Sequence, residues 1–573
     1  MLEVLPRRVN RPLAAAVATA VISIGLTGCL SGGGGGGGSS SPPTPTGPAT
    51  LSATVDQGAL RGIELESGVL AFRGIRYGAA PTGERRFAAP QPAPAWTGTL
   101  SLSADFGSSC PQIASPFGEA STNEDCLFLN VYRPTAPGDY PVMVWIHGGA
   151  FIYGSGGPAY EASRLVQEGV VVVTLNYRLG ALGFLPHADL GDANFGLQDQ
   201  QLALKWVRDN IAAFDGDPDN VTIFGESAGG HSVLSQIASP GAAGLFHKAI
   251  VQSGSYNGDQ VPLADLSFGP VTIPGGQSLF GNPTVAKTDC KDETGAALVS
   301  CLRGLTVEQL LAAQPGNILP VTGTTVLPRS INAALQNADH FNNVPVMMGS
   351  NRDEGSLFTL LALGTNPAAM ESVESYRAAV AALLVEDPRL DAVSIADHYL
   401  SLEPAAPAPI PALETLRRIN AYTAIGTDWR FNCPNDRQWT LLADKVDTYG
   451  YWFTDRGAPP PATLPASPFP LGAAHSFEIQ YVLNSLSGME ARGASQQSLD
   501  LARSMASYWA NFAKYGDNRE IGPNSTSGAA GEVTWPRYVN DGNIINLGTP
   551  TPSVVPVSDF RTIHRCEFWY PQP

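Results

Sequence analysis

The sequence predicts an α/β fold, a central mostly parallel sheet flanked by helices, and three observations carry that expectation. Apolar runs of strand length recur along the chain: PVMVWIHGG at 141–149, VVVVTLNYR at 170–178, NVTIFGES at 220–227, KAIVQSGS at 248–255 and VPVMMGSN at 344–351. Runs bounded by turn residues and lacking polar alternation suit strands covered on both faces. Helical candidates lie between them. In LQDQQLALKWVRDNIAAF, at 197–214, Leu204, Val207 and Ile211 share a stripe while Lys205, Arg208 and Asp209 fall between them, as in a helix crossing over a sheet. Finally, 573 residues with 43% apolar content can bury a large core.

From Leu51 to Pro573 no second linker, internal repeat or heptad pattern interrupts the chain, so 51–573 is expected to be one domain carrying insertions. The stretch from about 260 to 460 is richer in proline and loop residues and includes ALETLRRINAYTAIGTDWRF, a helical candidate. It is expected to form a helical cap over the strand ends.

The N-terminus has a different character. Arg7, Arg8 and Arg11 precede an uncharged apolar run from Leu13 to Leu26, the layout of a secretory signal and too short for a dependable membrane-spanning helix. The run ends in Leu26-Thr27-Gly28-Cys29, which resembles the lipobox of bacterial lipoproteins. Residues 1–28 are then a leader and Cys29 is the lipid-bearing first residue of the mature chain; an ordinary signal peptide is the alternative. Residues 29–50 pass from a Gly/Ser run into a Pro/Thr run and read as a tether, whose twenty or so residues reach roughly 25 Å as a random coil. The expected location is the bacterial cell envelope, with membrane contact only through the anchor.

Charged residues make up 15% of the chain and the formal net charge is -17, which disfavours nucleic acid or an anionic membrane surface as a partner. Oligomeric state is left open. Seven cysteines are present, and setting Cys29 aside leaves six, an even number that suits an oxidising compartment. Six cysteines allow 15 pairings, although short separations favour Cys110 with Cys126 and Cys290 with Cys301. No CxxC pair or Cys/His cluster has zinc spacing, so neither metal nor cofactor is expected.

The chemistry is concentrated in two glycine-rich turns. Gly225-Glu226-Ser227-Ala228-Gly229 directly follows NVTIF and precedes the helical candidate GHSVLSQIAS. GxSxG by itself is weak in a chain of 61 glycines; between strand and helix it places a serine hydroxyl on a tight turn above the sheet. Upstream, His147-Gly148-Gly149-Ala150-Phe151 ends another predicted strand. The N–H groups of Gly149 and Ala150, with that of Ala228, suit an oxyanion hole.

GESAGG, EDCLFLNVYRP at 124–134, HGGAF, NYRLGALGF at 176–184 and GLQDQQLALKWV at 196–207 together resemble the type-B carboxylesterases, the lineage that also holds the cholinesterases and some fungal lipases. The resemblance runs over nearly all of 55–573. It implies the α/β-hydrolase fold with cap insertions and serine-dependent hydrolysis of small-molecule or polymeric esters. It also implies a triad in chain order Ser, Glu, His, in which Glu354 of GSNRDEGSLF is the acid and His475 of GAAHSFEIQYV the base. The order alone leaves His398, His475 and His564 beyond the carboxylate; ADHYL makes His398 a surface histidine, and His564 sits by Cys566 near the terminus. Ala150 stands where a third glycine is usual in the family, which alters the room for the acyl group and keeps the N–H donor.

By the same resemblance Cys433 pairs with Cys566, Arg86 with Glu124 and Arg178 with Asp217, and Ser253 is a buried serine beside the triad. Glu226 either adds negative field below the pocket or is structural. The cholinesterases of this family hold a quaternary ammonium on a tryptophan in the first disulfide loop. Here the loop between Cys110 and Cys126 has 15 residues and Phe117 as its sole aromatic, so neutral esters are expected to be preferred. A triacylglycerol lipase and, more remotely, a non-catalytic adhesion module are the other readings.

Overall fold

Because side chains alternate across a strand, the apolar runs supply two cores at once. In the computed structural model, which describes residues 51–570 apart from 103–104, 269–270, 317, 386–389, 405–410, 484–485, 517–532 and 540–541, eleven strands share one sheet. They are β1 (Ile63–Glu64), β2 (Leu70–Arg76), β3 (Phe128–Arg133), β4 (Tyr140–Ile146), β5 (Val171–Leu175), β6 (Gly216–Glu226), β7 (Lys248–Gln252), β8 (Val346–Asn351), β9 (Thr448–Phe453), β10 (Asn543–Leu547) and β11 (Ser553–Pro556). Their spatial order is β11-β10-β9-β8-β7-β6-β4-β5-β3-β2-β1. From β5 to β10 every neighbouring pair is parallel; the outer strands are antiparallel. The leader, the tether and Cys29 lie outside the described residues.

Val142, Val144 and Ile146 of β4 face one core together with Val171, Val173, Val221 and Ile223. Met143 and Trp145, one residue out of phase, face the other with Val172, Phe224 and Ile250. The first face is covered by helix α1 (Phe195–Asn210), through Leu204 and Val207, and by α2 (Ala228–Ala238), through Val233 and Ile237. The second is covered by α5 (Gln496–Tyr515), through Met505, Trp509 and Phe512. Helices on both faces of a mainly parallel sheet are the predicted arrangement.

The five predicted strands are β4 to β8. The helix expected at 197–214 starts at Phe195 and stops at Asn210; Ile211–Phe214 is a 3₁₀ turn closed by Asp215 at φ 59°. The expected cap from 260 to 460 is not a single body, because β8 and β9 run through that interval. Its helices include α3 (Gly355–Thr365) and α4 (Pro411–Thr427), which pack on each other.

Three disulfides are formed: Cys110–Cys126, Cys290–Cys301 and Cys433–Cys566. Arg86 meets Glu124 through Nε at 2.7 Å and Nη2 at 2.5 Å. The Arg178–Asp217 pairing is wrong. Arg178 instead grips Asp199 of α1 with two bonds of 2.8 Å, both side chains buried. Register explains the error: Gly216 lies beside Tyr140, at the start of the parallel strands, whereas Arg178 follows the far end of β5. Asp217 and Arg178 are thus at opposite ends of the sheet.

Candidate active site

Strand β6 runs straight into the GxSxG turn. Ser227 has φ 56° and ψ −121°, a conformation that side chains avoid, and α2 begins at Ala228. The turn closes because its flanks are bare. A Cβ on Gly225 would come within 2.5 Å of the Ile146 carbonyl oxygen, and one on Gly229 would strike the same atom. The Ser227 N–H donates to the Gln252 carbonyl at 2.9 Å, tying the turn to β7. Unlike its neighbours, Ser227 is only half-buried.

Gly149 (φ 105°) and Ala150 (φ 54°) curl away from the end of β4. Their N–H groups donate to no acceptor among the described residues. Ala228, as the first residue of α2, has an N–H with no partner one turn earlier in the helix. Ala150 is exposed, and its left-handed backbone is where glycine would cost less.

The predicted acid and base meet. Glu354 follows β8 and is fully buried; its Oε2 lies 2.5 Å from Nδ1 of His475. Its Oε1 accepts from the Ser253 hydroxyl at 2.5 Å and from the Asn351 N–H at 2.7 Å. Ser253 is buried and thereby part of the carboxylate's cage. His475 rides on the loop after β9, which is pinned by the Asp353 N–H to the Ala473 carbonyl, 2.9 Å, and by the Asn351 side chain to the Ala474 carbonyl, 2.7 Å. Its ring packs against the stacked pair Phe358 and Phe431, with centroids at 4.9 and 4.8 Å.

No hydrogen bond joins Ser227 Oγ to His475 among the described residues. The nearest charge to His475 Nε2 is Glu226 Oε1 at 3.1 Å, close enough for attraction but not aligned as a hydrogen bond. A third carboxylate, Glu478, is held by Gln252 Nε2 at 3.1 Å and Asn351 Nδ2 at 2.5 Å. Burial alone would lower the proton affinity of His475, but Glu226 and then Glu354 outweigh it and push the pKa up to about 9. Burial raises Glu226 well above the ordinary carboxylate range, opposed by His475. Burial, reinforced by Glu354, raises Glu478 to about 7.

Of the other candidate histidines, His398 is exposed and stacks on Phe568, and His564 is buried against Asp428 at 2.9 Å. The sequence reading missed Glu478 and Asn351. Each had a faint local signal, one lying three residues beyond His475 and the other three before Glu354. Among the described residues no group of three or more His, Cys, Asp or Glu side chains has metal-binding geometry.

A nucleophile turn on one strand, an acid on the second strand beyond it, a histidine on the next loop and free N–H donors opposite suit acyl transfer. Residues 49–569 match the carboxylesterase family. The chain is 33% identical to the para-nitrobenzyl esterase of Bacillus subtilis, over 85% of this chain and 92% of that one. It is 31% identical to the cocaine esterase of Homo sapiens, over 88% and 87%, and 30% identical to the bile salt-activated lipase of Rattus norvegicus, over 92% and 84%. The chain belongs to the carboxylesterase family and hydrolyses carboxylic esters.

Proposed function

We propose that this esterase works through an acyl-enzyme on Ser227, with His475 as general base, Glu354 orienting it, and Gly149, Ala150 and Ala228 forming the oxyanion hole. Oγ attacks the ester carbonyl as Nε2 of His475 takes its proton; the same nitrogen returns it to the leaving alcohol, and water repeats the cycle on the acyl-enzyme. Three backbone N–H groups hold the oxyanion of each tetrahedral intermediate. The observation carrying this reading is the buried 2.5 Å contact between Glu354 and His475, formed beside a serine held at φ 56°. It also speaks against a non-catalytic adhesion module. A fluorophosphonate should label the peptide containing Ser227, and Ser227→Ala should lower kcat/KM by several orders of magnitude. More than a tenth of wild-type activity in that variant overturns the assignment.

The same reading includes export and a lipid anchor at Cys29, supported by the basic, then apolar, leader and the LTGC ending. Residues 29–50 then tether a catalytic body at 51–573 to the cell envelope. A radioactive fatty acid should mark the wild type and not Cys29→Ala; an unlabelled wild type means an ordinary signal peptide. A lipase reading draws on the name of the bile salt-activated lipase relatives, and p-nitrophenyl esters of increasing chain length beside an emulsified triglyceride separate it from an esterase.

A further inference from the structure

Between the acid turn and the histidine loop stands a residue that bonds both, the acid through its backbone and the loop through its side chain. Asn351, the last residue of β8, is fully buried. Its N–H donates to Glu354 Oε1 at 2.7 Å, and its side-chain Nδ2 donates to the Ala474 carbonyl at 2.7 Å and to Glu478 Oε2 at 2.5 Å. Both amide protons are thus used, while Oδ1 accepts from none of the described residues. The opposite amide orientation would set oxygen against a carbonyl and a carboxylate, so the chemistry of the neighbours fixes it. Asn351 is itself held from behind: buried Asn432 donates through Nδ2 to its carbonyl at 3.1 Å.

We propose that Asn351 is a positioning residue for ester hydrolysis, setting the spacing of Glu354 and His475 by bonding the acid with its backbone and the histidine's loop with its side chain. The inference rests on the triad reading given above. Asn351 touches no reacting atom; it acts through the two groups it holds. Glu354 and His475 come from different connections, after β8 and after β9, so their 2.5 Å contact depends on what ties those segments together. The Asp353–Ala473 backbone bond is one tie. The Asn351 amide is the side-chain tie closest to the imidazole, ending on the residue next to His475.

The test is Asn351→Leu, close in size and without donors. Misplacing a catalytic pair by about 1 Å costs on the order of 100-fold, so kcat should fall about 10- to 100-fold while KM stays within about threefold. Titration with a fluorophosphonate should show the full complement of sites, labelled more slowly. The rising limb of kcat against pH should also move, since the proton affinity of His475 depends on where Glu354, Glu226 and Glu478 stand. A folded variant with kcat within twofold of wild type overturns the proposal. So does a loss explained by fewer titratable sites, each of normal kcat, which marks a merely structural role. If Asn351→Leu does not fold, Asn351→Asp carries the test, because it keeps the shape and the backbone N–H and sets a carboxylate oxygen where the amide donated to the Ala474 carbonyl and Glu478; unchanged kcat there overturns the proposal. Ser227→Ala is measured alongside: more than a tenth of wild-type activity in that variant refutes the nucleophile, whereas a normal Asn351→Leu refutes only the positioning role.

Discussion

Glu226 Oε1 stands 3.1 Å from His475 Nε2, the ring nitrogen that faces away from Glu354. The imidazole is therefore flanked by a carboxylate at each nitrogen, and Glu226 occupies the side from which the serine proton must arrive. A base serves only when neutral, so a histidine raised to about 9 loses base function as pH falls below that value. We expect kcat/KM to climb with pH through the neutral range. Glu226→Gln removes the charge with the largest raising effect among Glu226, Glu354 and Glu478, so the midpoint of the rising limb should move to lower pH. An unmoved midpoint would mean that Glu226 carries no charge at working pH, its proton being shared with His475.

The buried Arg178–Asp199 pair makes a stability prediction that separates it from the pairing first expected. Asp199→Ala strands a guanidinium that is 3% exposed, and breaking a buried pair on one side costs roughly 3–5 kcal/mol. Asp217 is half-buried and among the described residues accepts only from the nearby Asp219 N–H, so Asp217→Ala should lie within about 0.5 kcal/mol of wild type. Chemical denaturation of both variants checks the contrast, and equal losses would restore Asp217 as a structural partner.

These two cases show where sequence reading reached and where it stopped. Ser227 was legible because strand, turn and helix are contiguous, so Gly225 and Gly229 are read beside the serine they accommodate. Glu354 and His475 were legible only through resemblance, since chain order left three histidines, and it takes the structure to show that the equally buried His564 meets Asp428 and not Glu354. The carboxylates around His475 were harder still. Glu226 ends β6, Glu354 follows β8 and Glu478 lies beyond β9, and only the parallel registers bring them together. Arg178 failed for the same reason, as its partner is decided by which end of the sheet each residue occupies.

The Cys433–Cys566 bridge closes a separation of 133 residues, a loop for which chain entropy gives about 4–5 kcal/mol of stabilisation. It joins the short C-terminal helix at Cys566–Trp569 to the helix Cys433–Ala443. Cys433→Ser with Cys566→Ser should therefore lower Tm by several degrees and raise sensitivity to proteolysis near the C-terminus. Peptide mapping without reductant should recover the two cysteines in one linked species; a free thiol at Cys433 would refute the bridge.

The last prediction concerns the alcohol side of the substrate. A quaternary ammonium is held well only over an electron-rich ring face, a contact worth roughly 0.5–2 kcal/mol and strongest on tryptophan. Within the disulfide loop from Cys110 to Cys126 the one aromatic is Phe117, and it is partly buried against the core that contains Trp145 and α5. The rings nearest His475 are Phe358, 36% exposed, and Phe431, 2% exposed, stacked on each other at 5.4 Å. Phenylalanine is the weaker platform, and one of these two presents almost no free face. Against this, a net charge of -17 draws cations to the surface and would mask the difference at low salt, where the Debye length approaches 30 Å. Measured at about 0.15 M salt, acetylcholine should show a lower kcat/KM than its uncharged isostere 3,3-dimethylbutyl acetate. A preference for the cation that disappears in Phe358→Ala would instead assign the ammonium to the Phe358 face, and would overturn the expectation that this enzyme favours neutral esters.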